Sequence, residues 1–438
     1  MLSLANGTLT RMVTWIYSFL TKIIPLSRVF INTHKQGRNA YKHSPEYESR
    51  LPEMQLWAIM KDFNNDGKED LFTSAENGGI RVFKNTSKGS KVEDISFNLI
   101  RFKGTGADSM KRVDKITTKY FLNPGFFYTE VYNLANDIPG LVDVDHDGDL
   151  DILCYGLNGT EVKLLENTCI KKHGHADSLL LEWTNLCWGN YAESGDSSSF
   201  SLTLNVSCKG GLPNQQSGSR HEGATILMRD FDCNGKIDIL VGDVSFNNMA
   251  LGYNTGPLGN ANISSQDSTF PTYDVPVNID NFPAAFYLDA DNNGTKNLVM
   301  APNAPTNFSN FNNVHLYKNT GTTQCPKFKM TQKDFLIEDI IEVGSNAYPL
   351  LIDVNGDSLN DLLIGNYGVW TKSSTYESKV SYYKNIGSKT NPKFELVTRD
   401  YILLPNSHEV GIYPASGDID NDGDVDLILG TDKGNINR

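Results

Sequence analysis

Short apolar runs recur along this 438-residue chain, and most flank a polar cluster in pairs. The leading runs span 56–60, 140–142, 226–228, 284–288 and 350–352. The trailing runs span 71–72, 152–153, 239–241, 298–299, 362–364 and 427–429. They are short, rich in β-branched residues and bounded by turn residues, and no long stretch of period 3.6 joins them. The pattern therefore predicts strands rather than helices. Pro139, Pro283, Pro349 and Pro414 stand a few residues ahead of the polar clusters and mark strand starts.

The clusters themselves repeat. Six align without gaps: 62–70 (DFNNDGKED), 143–151 (DVDHDGDLD), 230–238 (DFDCNGKID), 289–297 (DADNNGTKN), 353–361 (DVNGDSLND) and 418–426 (DIDNDGDVD). Their starts lie 81, 87, 59, 64 and 65 residues apart, a period of 60–65 with two insertions early in the chain. A second signature trails the first five clusters: Phe83-Lys84-Asn85-Thr86, Leu165-Glu166-Asn167-Thr168, Tyr253-Asn254-Thr255-Gly256, Tyr317-Lys318-Asn319-Thr320-Gly321 and Tyr383-Lys384-Asn385-Ile386-Gly387. Each reads as a strand ending in a turn. Pro326-Lys327-Phe328 and Pro392-Lys393-Phe394 then suit the start of an edge strand. One all-β unit per 60–65 residues predicts a β-propeller of six to seven four-stranded blades, with the polar loops between strands. An open β-solenoid is the alternative. Residues 28–438 form the repeat region, with an insertion at about 169–222. Phe30-Ile31-Asn32-Thr33 resembles a further signature and leaves room for a ring closed by strands from both ends.

The loop chemistry points to calcium, which takes roughly six to eight hard oxygens in a flexible shell. Positions 1, 3, 5 and 9 supply Asp or Asn oxygens in all six copies, and position 7 a backbone carbonyl. The candidate ligands are Asp62, Asn64, Asp66, Lys68 and Asp70; Asp143, Asp145, Asp147, Asp149 and Asp151; Asp230, Asp232, Asn234, Lys236 and Asp238; Asp289, Asp291, Asn293, Thr295 and Asn297; Asp353, Asn355, Asp357, Leu359 and Asp361; and Asp418, Asp420, Asp422, Asp424 and Asp426. Position 6 is Gly in five copies, as a tight turn requires, and Ser358 in the fifth loop, which carries Gly356 at position 4 instead. Asn293 and Asn297 reduce the anionic ligands of the fourth loop. An EF-hand needs a bidentate Glu at position 12, where this chain has Thr73, Cys154, Val241, Met300, Ile364 and Leu429. Ordinary Asx turns would explain one such cluster but not six in one register.

Charge fits this reading. Six calcium ions would nearly cancel the formal net charge of -13, and without them several carboxylates crowd each turn. The same negative charge argues against binding nucleic acid or an anionic membrane face. The six cysteines show no CxxC or Cys/His spacing for zinc. Cys187 and Cys208 are placed to staple a Ser-rich stretch, and scattered buried thiols are the other reading. Residues 1–27 are atypical. Arg11 precedes the apolar run 12–24, which Lys22 interrupts and no A-x-A-like cleavage site follows. The run is too short to span a bilayer, and it reads as an export signal or a divergent strand.

The loop pattern with its flanking strands and trailing Tyr-Lys-Asn-Thr-Gly resembles the FG-GAP/VCBS repeat family, which includes the integrin α-subunit propellers. The string from Asn385 to Phe394 and the loop from Gly417 to Asp424 are similar to those of secreted VCBS proteins of Bacteroidetes-type bacteria. The resemblance implies a calcium-binding propeller that is extracellular or at the cell surface, with adhesion or recognition of a protein or glycan ligand as its role. No catalytic residues are expected. His173 and His175 could touch a metal, but a solvated loop is the favoured reading. His221-Glu222 fails as a zincin motif because Thr225 stands where the second His belongs. Trp183, Trp188 and Tyr191 either offer a stacking surface or pack the insertion onto its blade. A propeller enzyme or accessory domain acting on polysaccharide is the competing class.

Overall fold

The computed structural model describes residues 5–8, 15–20, 27–32, 41–89, 91–105, 111–122, 125–156, 160–194, 197–202, 223–291, 293–304, 308–338, 340–371, 375–402, 410–434 and 436–437. These form an almost purely β protein of sequential sheets, antiparallel but for one parallel pair in the second repeat sheet. An N-terminal sheet joins Ala5–Thr8, Trp15–Leu20, Ser27–Asn32 and Tyr41–His43. The apolar run at 12–24 thus contributes a strand. Six repeat sheets follow, each opening with a first strand, an acidic loop and a second strand.

The first repeat sheet is Ala58–Lys61, Asp70–Ser74, Ile80–Asn85 and Phe97–Leu99. The second is Gly140–Val142, Asp151–Tyr155, Val162–Asn167 and Leu181–Asn185, widened at its outer edge by the hairpin Thr117–Leu122 and Gly125–Glu130. The third is Ala224–Arg229, Asp238–Asp243, Met249–Asn254 and Ile263–Asp267. The fourth is Pro283–Leu288, Asn297–Pro302, His315–Asn319 and Phe328–Gln332. The fifth is Ser345–Ile352, Asp361–Trp370, Val380–Asn385 and Phe394–Thr398, with Tyr376–Glu377 beside its second strand. The sixth is Ile412–Gly417, Asp426–Thr431 and Ile436–Asn437. The chain divides into two compact units, Met1–Pro305 with Val314–Leu336, and Thr306–Asn313 with Ile337–Arg438.

The second strands explain the apolar runs. Asp70–Ser74, Asp151–Tyr155, Asp238–Asp243 and Asn297–Pro302 are buried at every residue. Such strands have both faces covered and read as continuous runs, not alternation. Successive side chains then serve different cores. Ile239 and Val241 join Leu153, Val162 and Ile226 in one cluster, whereas Leu240 joins Leu251, Leu298 and Met300 in another. The fifth and sixth sheets share a smaller core around Leu363, Val380, Ile412 and Leu429.

Three expectations change and one open alternative is decided. Leu181–Asn185 is the fourth strand of the second sheet, so the repeat runs through the middle of the insertion read at 169–222. Trp188 and Tyr191 are buried beside Phe200 and Ile263, which packs the insertion onto its sheet and removes both rings from any stacking surface. The signature-like Asn32 ends the third strand of the N-terminal sheet, between Trp15–Leu20 and Tyr41–His43. It is therefore not the missing strand of the sixth sheet. Pro349 and Pro414 lie inside first strands rather than at their starts, which is tolerated because those strands are sheet edges. Cys208, His221 and Glu222 lie outside the described residues.

Candidate metal centre

All six acidic loops close the same hairpin in the same register. The residue before the loop pairs with loop position 9: Lys61 with Asp70, Val142 with Asp151, Arg229 with Asp238, Leu288 with Asn297, Ile352 with Asp361 and Gly417 with Asp426. Within each loop the Asp at position 1 organises the turn. One of its oxygens accepts the position-5 N–H at 3.2 Å, and the other accepts the position-6 N–H at 2.7–3.0 Å. The side-chain oxygen at position 5 accepts the position-7 N–H at 2.7–3.0 Å. These bonds curl the backbone so that the side chains at 1, 3 and 5 face one another.

The curl needs left-handed residues. Position 6 is left-handed throughout, from Gly67 at φ 81 to Gly423 at φ 95. Ser358 takes the same conformation at φ 66, so the fifth loop keeps the shape despite losing its glycine.

Position 9 has a role that spacing did not reveal. In five copies its second oxygen accepts the N–H of position 2 at 2.8–3.2 Å. In five copies its first oxygen accepts the N–H of the trailing signature Asn (Asn85, Asn167, Asn254, Asn319 or Asn385) at 2.7–2.9 Å. The signature Asn answers in three copies by donating its amide to the position-8 carbonyl, at 3.1–3.2 Å. The two motifs therefore form one hydrogen-bonded knot between the first, second and third strands.

Burial of these carboxylates has an electrostatic cost. Asp70 and Asp238 are pushed up to about 7 and Asp151 to about 8, chiefly by desolvation, with the two backbone N–H bonds pulling the other way and neighbouring loop carboxylates adding repulsion. A divalent cation held among them would supply the missing positive charge.

The donor sets differ between copies. Carboxylate oxygens of Asp143, Asp145 and Asp147 lie within 4.8 Å of one another, as do those of Asp230, Asp232 and Asp238, and of Asp418, Asp420 and Asp426. In the second loop, Asp147 Oδ2 and Asp149 Oδ1 are buried without a hydrogen-bond partner, which is the environment a cation completes. Lys171 stands at its mouth, 2.5 Å from Asp145 Oδ2 and 3.6 Å from Asp147 Oδ2, and it also contacts Glu166. In the fourth loop, Asn297 turns its amide nitrogen to 3.5 Å from Asp291 Oδ1, and Lys318 lies 3.2 Å from Asp291 Oδ2. In the fifth, Asp361 Oδ2 already accepts from Val354 N–H, Asn355 Nδ2 and Tyr382 Oη at 3.0–3.2 Å. Those two loops offer a cation least.

Two further features lie outside the loops. A cavity of about 520 Å³ is lined by Lys84, Arg101, Lys103, Arg112, Lys119 and Lys172, against only Asp177 and Glu182. Lys119 and Lys172 reach Glu182 at 3.5 and 2.7 Å, while the other four have no carboxylate partner among the described residues. Elsewhere Tyr155 donates to buried Glu193 at 2.7 Å. Burial pushes Glu193 up to about 8, and the charges of Asp243 and Asp137 add to the shift.

No helix among the described residues is long and apolar enough to cross a membrane. No curated protein matches the chain. Residues 353–429 match the family model described as FG-GAP-like repeat. That span, an FG-GAP-like repeat, holds the fifth and sixth acidic loops, which share their register and hydrogen bonding with the other four.

Proposed function

We propose that this chain is a calcium-binding β-propeller that acts without catalysis, as a recognition module outside the cell or on its surface. Sheets built from strands that follow one another in the chain are what blades require. The N-terminal sheet serves as a blade without an acidic loop, which favours seven blades over six. The observation that carries the calcium reading is the sixfold repetition of one oxygen-lined turn, with two carboxylate oxygens of the second copy buried without a hydrogen-bond partner. All its donors are hard oxygens, which suits calcium over softer metals.

The basic cavity supplies a recognition surface in a chain of net charge -13. Unpaired Lys84, Arg101, Lys103 and Arg112 favour an anionic ligand, such as a sulfated or uronic glycan. Calorimetric titration with calcium tests the first part: three to six ions should bind, and no detectable binding at millimolar calcium would overturn it. Retention on a sulfated glycan resin in calcium tests the second, with loss expected for Arg101→Glu/Arg112→Glu. The alternative reading, an enzyme acting on polysaccharide, draws on the protonated Glu193 beside Tyr155. Glycan hydrolysis that disappears in Glu193→Gln would favour it.

A further inference from the structure

The turn that ends the third strand is built alike in the first five repeat sheets. The signature Asn accepts, through its side-chain oxygen, the N–H of the residue two further on, at 2.9–3.3 Å. In the third, fourth and fifth copies that residue is Gly256, Gly321 or Gly387, and the fourth strand begins nine residues after the Asn. Glycine is required there because the chain returns too closely. A Cβ would lie 2.3 Å from Asn260 O, 2.3 Å from Cys325 O and 2.4 Å from Asn391 O.

The second copy departs from this rule. Its residue is Cys169, and the fourth strand begins only at Leu181, fourteen residues after Asn167. The additional residues form the short helix Cys169–His173 and then fold back, which opens the turn and brings two polar side chains onto the thiol. Cys169 Sγ lies 3.7 Å from His175 Nδ1, and the same nitrogen lies 2.9 Å from Asp177 Oδ1. All three donor atoms fall within 4.8 Å of one another.

A Cys-His-Asp trio has two chemical readings. A nucleophile relay needs the thiol on one ring nitrogen and the carboxylate on the other. Here both meet Nδ1, so this arrangement cannot pass a proton along the ring. Sulfur, nitrogen and oxygen converging on one point is the donor geometry of a cation site. Metal bonds of about 2.3 Å to sulfur and about 2.0–2.2 Å to nitrogen or oxygen place tetrahedral ligands about 3.3–3.8 Å apart. The observed sulfur-to-nitrogen separation falls in that range.

We propose that Cys169, His175 and Asp177 bind zinc or a similar borderline-soft divalent cation, at a site separate from the oxygen-only loops. A thiolate, an imidazole and one carboxylate select against calcium, which prefers oxygen throughout. Cys169 is buried and fixed by the turn, while the His175 and Asp177 side chains are 53% and 64% exposed, so the cation enters from solvent and keeps its fourth position open to water. His173 stacks on His175 with ring centroids 5.8 Å apart and steadies its plane. On binding, the thiol proton passes to solvent and the thiolate takes its place on the metal.

Cobalt titration of the full chain, saturated with calcium, tests this site independently of the loops. One equivalent of Co²⁺ should give a thiolate charge-transfer band in the near ultraviolet and tetrahedral bands in the visible, both erased by Zn²⁺. Cys169→Ser should abolish the charge-transfer band, His175→Ala or Asp177→Asn should weaken binding about tenfold or more, and Cys154→Ser should change nothing. Absence of the band, its survival in Cys169→Ser, or its loss to calcium alone would overturn the proposal. Should Cys169→Ser fail to fold, alkylation of the wild-type thiol gives the answer. Zinc should slow it at least about tenfold in the wild type and not in His175→Ala, and equal rates with and without zinc would refute the site.

Discussion

Asp151 shows how much one loop residue does besides face a cation. Its two oxygens hold Val144 N–H at 2.9 Å and Asn167 N–H at 2.8 Å, and the side chain is fully buried. Asp151→Ala strands both donors, at about 1–3 kcal/mol each. It should destabilise the protein even in chelator. Asp145→Ala should instead leave the chelated protein near wild type and remove only part of the stabilisation by calcium. Denaturant unfolding with and without chelator separates the two. Glu193 gives a pH signature. Its folded value near 8 stands above that of an unfolded glutamate, so its contribution is complete below the unfolded value and is lost as pH rises through about 8. Asp137, near 7 for the same reason of burial, adds to this slope. Melting between pH 6 and 9 should fall less steeply in Glu193→Gln than in the wild type, and equal slopes would contradict the assignment. At this scale the sequence made the oxygen-bearing loop positions legible, because an oxygen at every second residue is visible as spacing. It could not reveal that position 9 bonds the signature Asn some 15–24 residues away, since hydrogen-bond partners across strands leave no local pattern.

The hairpin around each loop is the element that the apolar runs announced, and its second strand was the easiest to read in the first four sheets, where both faces are buried. Fourth strands were harder. Leu181–Asn185 (LEWTN) lies toward the outside of its sheet with mixed burial, so it carries no continuous apolar run and was absorbed into the insertion. The hairpin Thr117–Leu122 and Gly125–Glu130 pairs in parallel with that strand, and it accounts for residues that the repeat period left over. One cross-link was invisible to spacing. Cys233, at position 4 of the third loop, is bonded to Cys325, in the turn after the third strand of the next sheet, 92 residues on. Arg229 reaches the same turn, donating to Thr323 O at 3.0 Å. The bond closes a long loop in the unfolded chain. Cys233→Ser/Cys325→Ser should therefore lower unfolding free energy by about 2–4 kcal/mol in the presence of calcium. Equal stability by denaturant titration would show that the link constrains little.

Across the whole molecule, the acidic loops set the charge balance. A chain of net charge -13 places Asp or Asn side chains at four or more positions of each of six turns and buries at least one of them in every one of the first five. The metal-free folded state must keep some of these groups protonated or tolerate their repulsion, so a bound cation would couple to folding. The loops are not equivalent in this. The second, third and sixth offer convergent carboxylates, whereas Asn297 with Lys318 and the saturated Asp361 weaken the fourth and fifth. A site occupied at a hundred times its dissociation constant contributes about 2.7 kcal/mol, and in large domains each kcal/mol moves the midpoint by about 2–4 °C. The most direct test is thermal unfolding of the full chain in about 2 mM calcium and in excess chelator. The expected result is a midpoint higher in calcium by at least about 5 °C, restored when calcium is added back. Superimposable curves under the two conditions would contradict calcium binding by these loops.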